Sequence, residues 1–99
     1  MTVARTGNRV LIELAGIFGT EERLAFRERI RDLLGRGGDT VVVDVGGLYS
    51  VDIPALAAFL RADLLLRSVQ SSLRIRAATP AFLALVRSTG LSGRLTVET

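Results

Sequence analysis

Asp44, Ser50 and Asp52 are the side chains of this sequence whose types and spacing come nearest to chemistry. Two carboxylates bracketing a hydroxyl could serve acid–base hydrolysis or activate a nucleophile. Nothing nearby completes either scheme. The chain has no Cys and no His, and all 13 of its basic residues are Arg. Those absences remove thiol nucleophiles and cysteine-built metal clusters, the usual general base, and the lysine of Schiff bases and phosphate-binding loops. Asp52 is already committed to capping a helix. Ser50, at a strand exit, has the ordinary role of satisfying local backbone groups. The residue inventory therefore points to a protein that is not an enzyme and uses no metal or cofactor.

Binding chemistry is narrowed in the same way. Arg23, Arg27 and Arg31 form a column at i, i+4, i+8, and Arg74 and Arg76 share a strand face, the kind of array that nucleic-acid binding uses for phosphates. Glu21, Glu22, Glu28 and Asp32 are interspersed with the helical arginines, the net charge is only +3, and Tyr49 and four Phe offer no stacking platform. We read these arginines as a solvated surface and expect no nucleic-acid partner. The longest apolar stretch, Ile53 to Leu60, is far short of the ~20 residues that span a bilayer. The start, Met1 to Arg5, lacks the layout of a secretory signal. A cytoplasmic chain without membrane insertion is expected. With 99 residues, 48% of them hydrophobic, one domain over residues 1–99 is the natural size.

The elements that must position these residues follow from periodicity and punctuation. Thr2 to Arg5 and Arg9 to Leu14 read as a hairpin around Thr6-Gly7-Asn8. Thr20 is the expected N-cap of a first helix that Gly35, Gly37 and Gly38 stop, with Glu21 and Glu22 in its first turn. Thr40 to Val45, with its run of three valines, reads as the central buried strand, and Gly46-Gly47 as the start of its exit loop. Asp52 caps a second helix with Pro54 in its first turn, running to about Ser68. Leu73 to Ala77 alternates as a strand, Thr79-Pro80 opens a third helix ended by Gly90, and Leu95 to Glu98 closes the chain as a strand. Strand and helix alternate after the hairpin, so the fold class is α/β with a mixed, mostly parallel sheet of about five strands and three helices. In such a sheet the loops leaving the carboxyl ends of neighbouring strands share one edge, where partner sites form. Ala15 to Thr20 and Gly46 to Asp52 are those loops.

Taken in order, the strand ending in Asp44-Val45, the glycine-containing link to Val51-Asp52, the helix opening Ile53-Pro54-Ala55-Leu56 and the terminal Thr89-Gly90-Leu91 resemble the STAS family. That family is named for sulfate transporters and anti-sigma factor antagonists, and the resemblance covers roughly Asn8 to Glu98. It implies a βα superhelical domain acting as a protein-binding module, usually in bacterial sigma-factor switching. In the family's switch motif, Asp-Ser-Ser/Thr/Ala-Gly-Leu, the first Ser is phosphorylated. Here Asp52 and Leu56 keep the ends of that motif, while Ile53 occupies the phosphoacceptor place, Pro54 follows it and Ala55 replaces the Gly. A second family motif, Gly-Glu-Leu-Asp, survives only as Gly16, with Ile17, Phe18 and Gly19 in the remaining places.

A phosphoserine brings ≈ −1.5 to −2 charges, and Ile53 cannot accept it. Ile17, Phe18, Asp52, Ile53, Pro54 and Ala55 are therefore the expected contacts of an edge that stays on or has changed partner. No phosphorylation is expected at the motif position; Ser50, the nearest hydroxyl to Asp52, is the alternative phosphoacceptor, against its ordinary role of satisfying local backbone groups. The second helix carries two apolar stripes: Ile53, Ala57, Leu60 and Leu64, and Ala55, Phe59, Ala62 and Leu66. One must be buried, and Phe59 is expected to mark a partner surface if its stripe is exposed. The first reading of the partner is an anti-sigma factor or a kinase-like regulator. A transporter subunit, docked on the stripe with Phe59 and Leu66, is the alternative, and a homodimer through the same stripe is the third.

Overall fold

The strand β3 (Thr40–Leu48) organises the rest of the chain, and its Val41, Val42 and Val43 are fully buried. In the computed structural model, which describes residues 1–98, it is flanked by β2 (Arg9–Gly16) and β4 (Ser72–Arg76). Outside these lie β1 (Thr2–Thr6) and β5 (Thr96–Val97), so that strand order follows chain order. The β1 hairpin arm is antiparallel to β2, and every other neighbouring pair is parallel. The parallel strands are joined by α1 (Thr20–Leu34), α2 (Ile53–Arg67) and α3 (Pro80–Ser88).

A sheet wound always in one direction by right-handed crossovers puts all its helices on one face. Here that face carries Val10, Ile12 and Leu14, then Val41, Val43 and Val45, then Leu73 and Ile75, all in one cluster with Phe26, Ile30, Leu56, Phe59, Phe82 and Val86 of the three helices. The opposite face alternates with it, as the period of two requires. On it Leu11, Val42, Arg74 and Thr96 stand side by side in register. Arg9 of β2 reaches Glu98 beyond β5 at 3.9 Å, across the two intervening strands.

Helix ends show which sequence signals were decisive. Asp52 Oδ1 accepts the Ala55 N–H at 2.9 Å, and Thr79 Oγ1 accepts the Phe82 N–H at 3.1 Å, so both expected caps are made. Gly90, at φ +74°, lets its own N–H reach the Arg87 carbonyl and the Leu91 N–H reach the Val86 carbonyl, the paired bonds of a Schellman stop. At α1 the expectation is corrected: the cap is Gly19, not Thr20. Glu22 Oε1 takes the Gly19 N–H at 2.9 Å, while the Thr20 hydroxyl accepts from Arg23 at 3.2 Å.

The stretch expected to be the exit loop is also corrected, since β3 continues through Gly46 and Gly47 to Leu48. One extra residue enters β3 as a bulge: Glu13 faces Asp44, but Ala15 faces Gly47 and Gly16 faces Leu48. Glycine is needed on both sides of that irregularity. A Cβ on Gly46 would lie 2.9 Å from the Cβ of Ala77, and one on Gly47 would lie 2.9 Å from the Leu14 carbonyl oxygen.

One buried carboxylate fastens the hairpin to this frame. Asp39, with a fully buried side chain, accepts two bonds of 2.9 Å from the Arg5 guanidinium. Its N–H reaches Ser71 Oγ and its carbonyl takes the Ser72 N–H, both at 2.9 Å. The Arg5 bonds hold the Asp39 carboxyl below the usual carboxylate range, against the opposing effect of burial.

Candidate functional site

The bulge carries β3 far enough for its carboxyl end to stay beside that of β2. The Tyr49 N–H donates to the Gly16 carbonyl at 2.9 Å, closing the last rung before both chains leave the sheet. Residues 17–19 and 49–52 therefore depart from one edge and lead directly into α1 and α2. That juxtaposition is the one expected from the strand order.

The carboxylates on this edge are occupied by structure. Asp44 Oδ1 accepts the Gly46 N–H and Oδ2 accepts Arg76 Nε, each at 2.9 Å, so the side chain pins the bulge to β4. Asp52 is exposed and spends Oδ1 on Ala55. Ser50 is exposed between them. The arrangement offers no paired acid and base, and what remains on the surface is apolar. Ile17 is 71% exposed and Ile53 62%, with Pro54 exposed beside it. Ile53 falls on the side of α2 away from its buried residues Ala55, Phe59, Ala62 and Leu66, and so faces out.

Phe18 and Ala55, expected on the binding edge, and Phe59, expected to mark a partner surface if its stripe is exposed, are all buried. Phe18 is only 6% exposed: its ring stacks on Phe59 at 5.5 Å and meets Phe26 edge-on at 5.9 Å. The loop is short enough that Phe18 serves as the lid of the aromatic core while Ile17, one residue earlier, faces out. Ala55 is buried because it lies on the core-facing side of α2. Phe59 is wholly buried, in contact range of Phe18, Phe26 and Phe82, so it does not mark a partner surface. Its stripe, Ala55, Phe59, Ala62 and Leu66, is the core stripe of α2. The docking of a transporter subunit or a second copy on Phe59 and Leu66 is thereby excluded.

The stripe left outside is the other one. Ile53 and Ala57 are exposed, Leu64 is 69% exposed, and Leu60 is half-buried against the core. Sequence reasoning did not single out Tyr49, 82% exposed, or Leu24, 55% exposed on α1. Tyr49 follows the Gly-Gly bulge, and the exposure of Leu24 depends on how α1 lies against α2. Leu24 and Ala57 line a groove of about 280 Å³ between those helices, together with Pro54, Ala58 and Leu65. No helix among the described residues is long and apolar enough to cross a membrane.

Comparison with known proteins agrees with this architecture. Residues 1–98 match the family described as Mlab, STAS domain. The chain belongs to the STAS family. Among solved structures it is similar to the anti-sigma factor antagonist SpoIIAA in its unphosphorylated form, at TM-score 0.81 and 18% identity over 99% of this chain and 87% of that one. The phosphorylated form of SpoIIAA, described as a Bacillus cell fate determinant, gives TM-score 0.77 and 18% identity over 99% and 90%. TM1081 of Thermotoga maritima, solved by NMR, gives 0.84 and 12% over 97% and 78%. Identities this low establish a shared fold. No protein of curated function matches the chain significantly.

Proposed function

We propose that this chain is a non-catalytic protein-binding module that docks an anti-sigma factor or a related kinase-like regulator through the edge formed by Ile17, Asp52, Ile53 and Pro54. It acts as an antagonist in bacterial transcription regulation, in the cytoplasm, and residues 1–99 work as one domain, the last of them, Thr99, lying outside the described residues. The observation that carries this reading is the exposure of Ile53 at the capped start of α2. An apolar residue stands where STAS switches keep a phosphorylated serine, so no charge can be added there to dissolve a complex. Covering one exposed Ile contributes about 1.5 to 3 kcal/mol before the cost of association.

Capture from the native cytosolic and membrane fractions tests the reading, followed by incubation of the captured regulator with the chain and ATP. Recovery of an anti-sigma factor and an unmodified chain by mass spectrometry are the expected results. Stoichiometric phosphate on Ser50 would overturn the phosphorylation-free switch.

A second reading, an accessory subunit of a membrane transport system, is favoured by one observation. The exposed apolar surface does not stop at Ile53 but continues along α2 through Ala57 to Leu64. Recovery of a permease complex in place of a sigma-factor regulator would select it.

A further inference from the structure

The groove between α1 and α2 has a composition that neither its apolar floor nor the docking edge explains. Thr20, Leu24, Pro54, Ala57 and Ala58 give it small or apolar walls, and the side chains of Arg23, Arg27 and Arg61 rim it. No carboxylate lines it. The four acidic residues of α1, Glu21, Glu22, Glu28 and Asp32, fall on the other sides of that helix by its 3.6-residue period. Among the described residues the ion pairs of this chain engage Arg5, Arg9, Arg36, Arg67 and Arg76, and none engages the three groove arginines. Arg23 instead donates to the Phe18 carbonyl and to Thr20, which fixes its guanidinium over the head of the groove.

We propose that this groove receives an amphipathic helix of the partner protein whose apolar stripe is flanked by carboxylates. The inference rests on the proposed function and adds to it the class of partner segment. Ala57 and Ala58 let a third backbone approach closely, as small residues do in helix packing. From Pro54 to Leu65 the groove runs about 16 Å, which matches about three turns of helix. Leu24 and Leu65 then meet apolar residues at i and i+4 or i+7, while Arg23, Arg27 and Arg61 pair with acidic residues on either side. A charge-complementary rim of this kind sets orientation and encounter rate, with the apolar floor holding the complex.

The test is selection from a library of helix-stabilised peptides, about 14 residues long, against the full chain, followed by fluorescence anisotropy. Acidic amphipathic peptides are expected to emerge. Their affinity should fall about tenfold or more for the double variant R27E/R61E, and also for Ala57→Trp, which fills the floor without changing charge. Arg94→Glu, a charge reversal at an exposed residue outside the groove and the docking edge, should leave it within about twofold. Thermal unfolding of each variant establishes that it is folded, as expected for exposed positions. Enrichment of neutral or basic peptides would overturn the proposal, as would affinity insensitive to R27E/R61E. So would anionic vesicles competing the peptide away, or a concentration-dependent dimer abolished by Ala57→Trp. A captured regulator that still binds R27E/R61E but is lost on Ile53→Glu refutes the groove and leaves the proposed function standing; the reverse pattern refutes the edge.

Discussion

The ring of Phe18 stacks on that of Phe59, centroids 5.5 Å apart and planes 26° apart, and so ties the loop after β2 to the middle of α2. Phe26 stands edge-on to both, at 5.9 and 5.6 Å. This contact sets the edge: with Phe18 turned into the core, the flanking Ile17 is left on the outside, beside the loop that presents Ile53. The aromatic cluster is a stability element, and the exposed edge is what it leaves behind.

Truncating the cluster should therefore cost stability and leave the surface intact. Phe59→Ala is expected to destabilise the chain by about 3 to 5 kcal/mol, with Phe18→Ala toward the lower end because its loop can settle into the space. Urea denaturation measures both. A Phe18→Ala chain that unfolds at the wild-type urea concentration but loses its partner would show instead that Phe18 is a contact.

Asp52 has a local task that can be separated from binding. Removing the cap with Asp52→Ala should cost about 1 kcal/mol, and Asp52→Asn, which still accepts the Ala55 N–H, a few tenths. Matched denaturation curves read the difference. Equal losses for Ala and Asn would mean that charge, not capping, is what Asp52 supplies to α2.

Gly46 and Gly47 hold the bulge that brings the two loops together. Gly46→Ala places a Cβ 2.9 Å from that of Ala77, whose backbone is itself at φ +59°. A loss of about 1 to 3 kcal/mol is expected, with partner affinity reduced because β3 and β4 must part at the edge. Calorimetry of the variant checks this, and unchanged stability would show that the β4 exit moves freely.

The pH dependence has a defined sign. Arg5 keeps the Asp39 carboxyl below its ordinary range, so the folded chain binds that proton less readily than the unfolded one. The resulting stabilisation is present above the unfolded value, ~4, and is lost as pH falls through that value and below it. Arg5 itself is raised further above an already high value, so its stabilisation is fully present near neutrality and adds no pH dependence there. Asp39→Asn should lower stability at pH ~7 and flatten the decline below pH ~4. Urea midpoints collected across that range give the comparison, and parallel curves for variant and wild type would remove Asp39 from the acid response.

The fold was legible because its signals are local. Asp52, Thr79, Pro80 and Gly90 each mark a helix end through backbone bonds made within a few residues, and the valine run of β3 has no other stable home than a sheet centre. The bulge was not legible: Gly46-Gly47 reads as a turn until Ala77, from another loop, is seen to require the missing Cβ. Which stripe of α2 is buried was equally out of reach, since both have helical period. The choice is made by Phe18 and Phe26, which come from elsewhere in the chain to meet Phe59. For the same reason Ile17 and Ile53 were recognisable as exposed residues by their place after a strand and at a helix start, whereas Phe18 and Ala55, their neighbours, went inward.

Partner affinity of the Ile53→Glu variant, measured by calorimetry with the captured regulator in the presence and absence of ATP, bears most directly on the whole reading. Wild-type affinity should be the same with and without ATP. The variant, folded and of near-wild-type stability, should bind about tenfold or more weakly, a loss of at least ~1.4 kcal/mol. Undiminished binding by Ile53→Glu, or release of the wild-type chain on adding ATP, would contradict it.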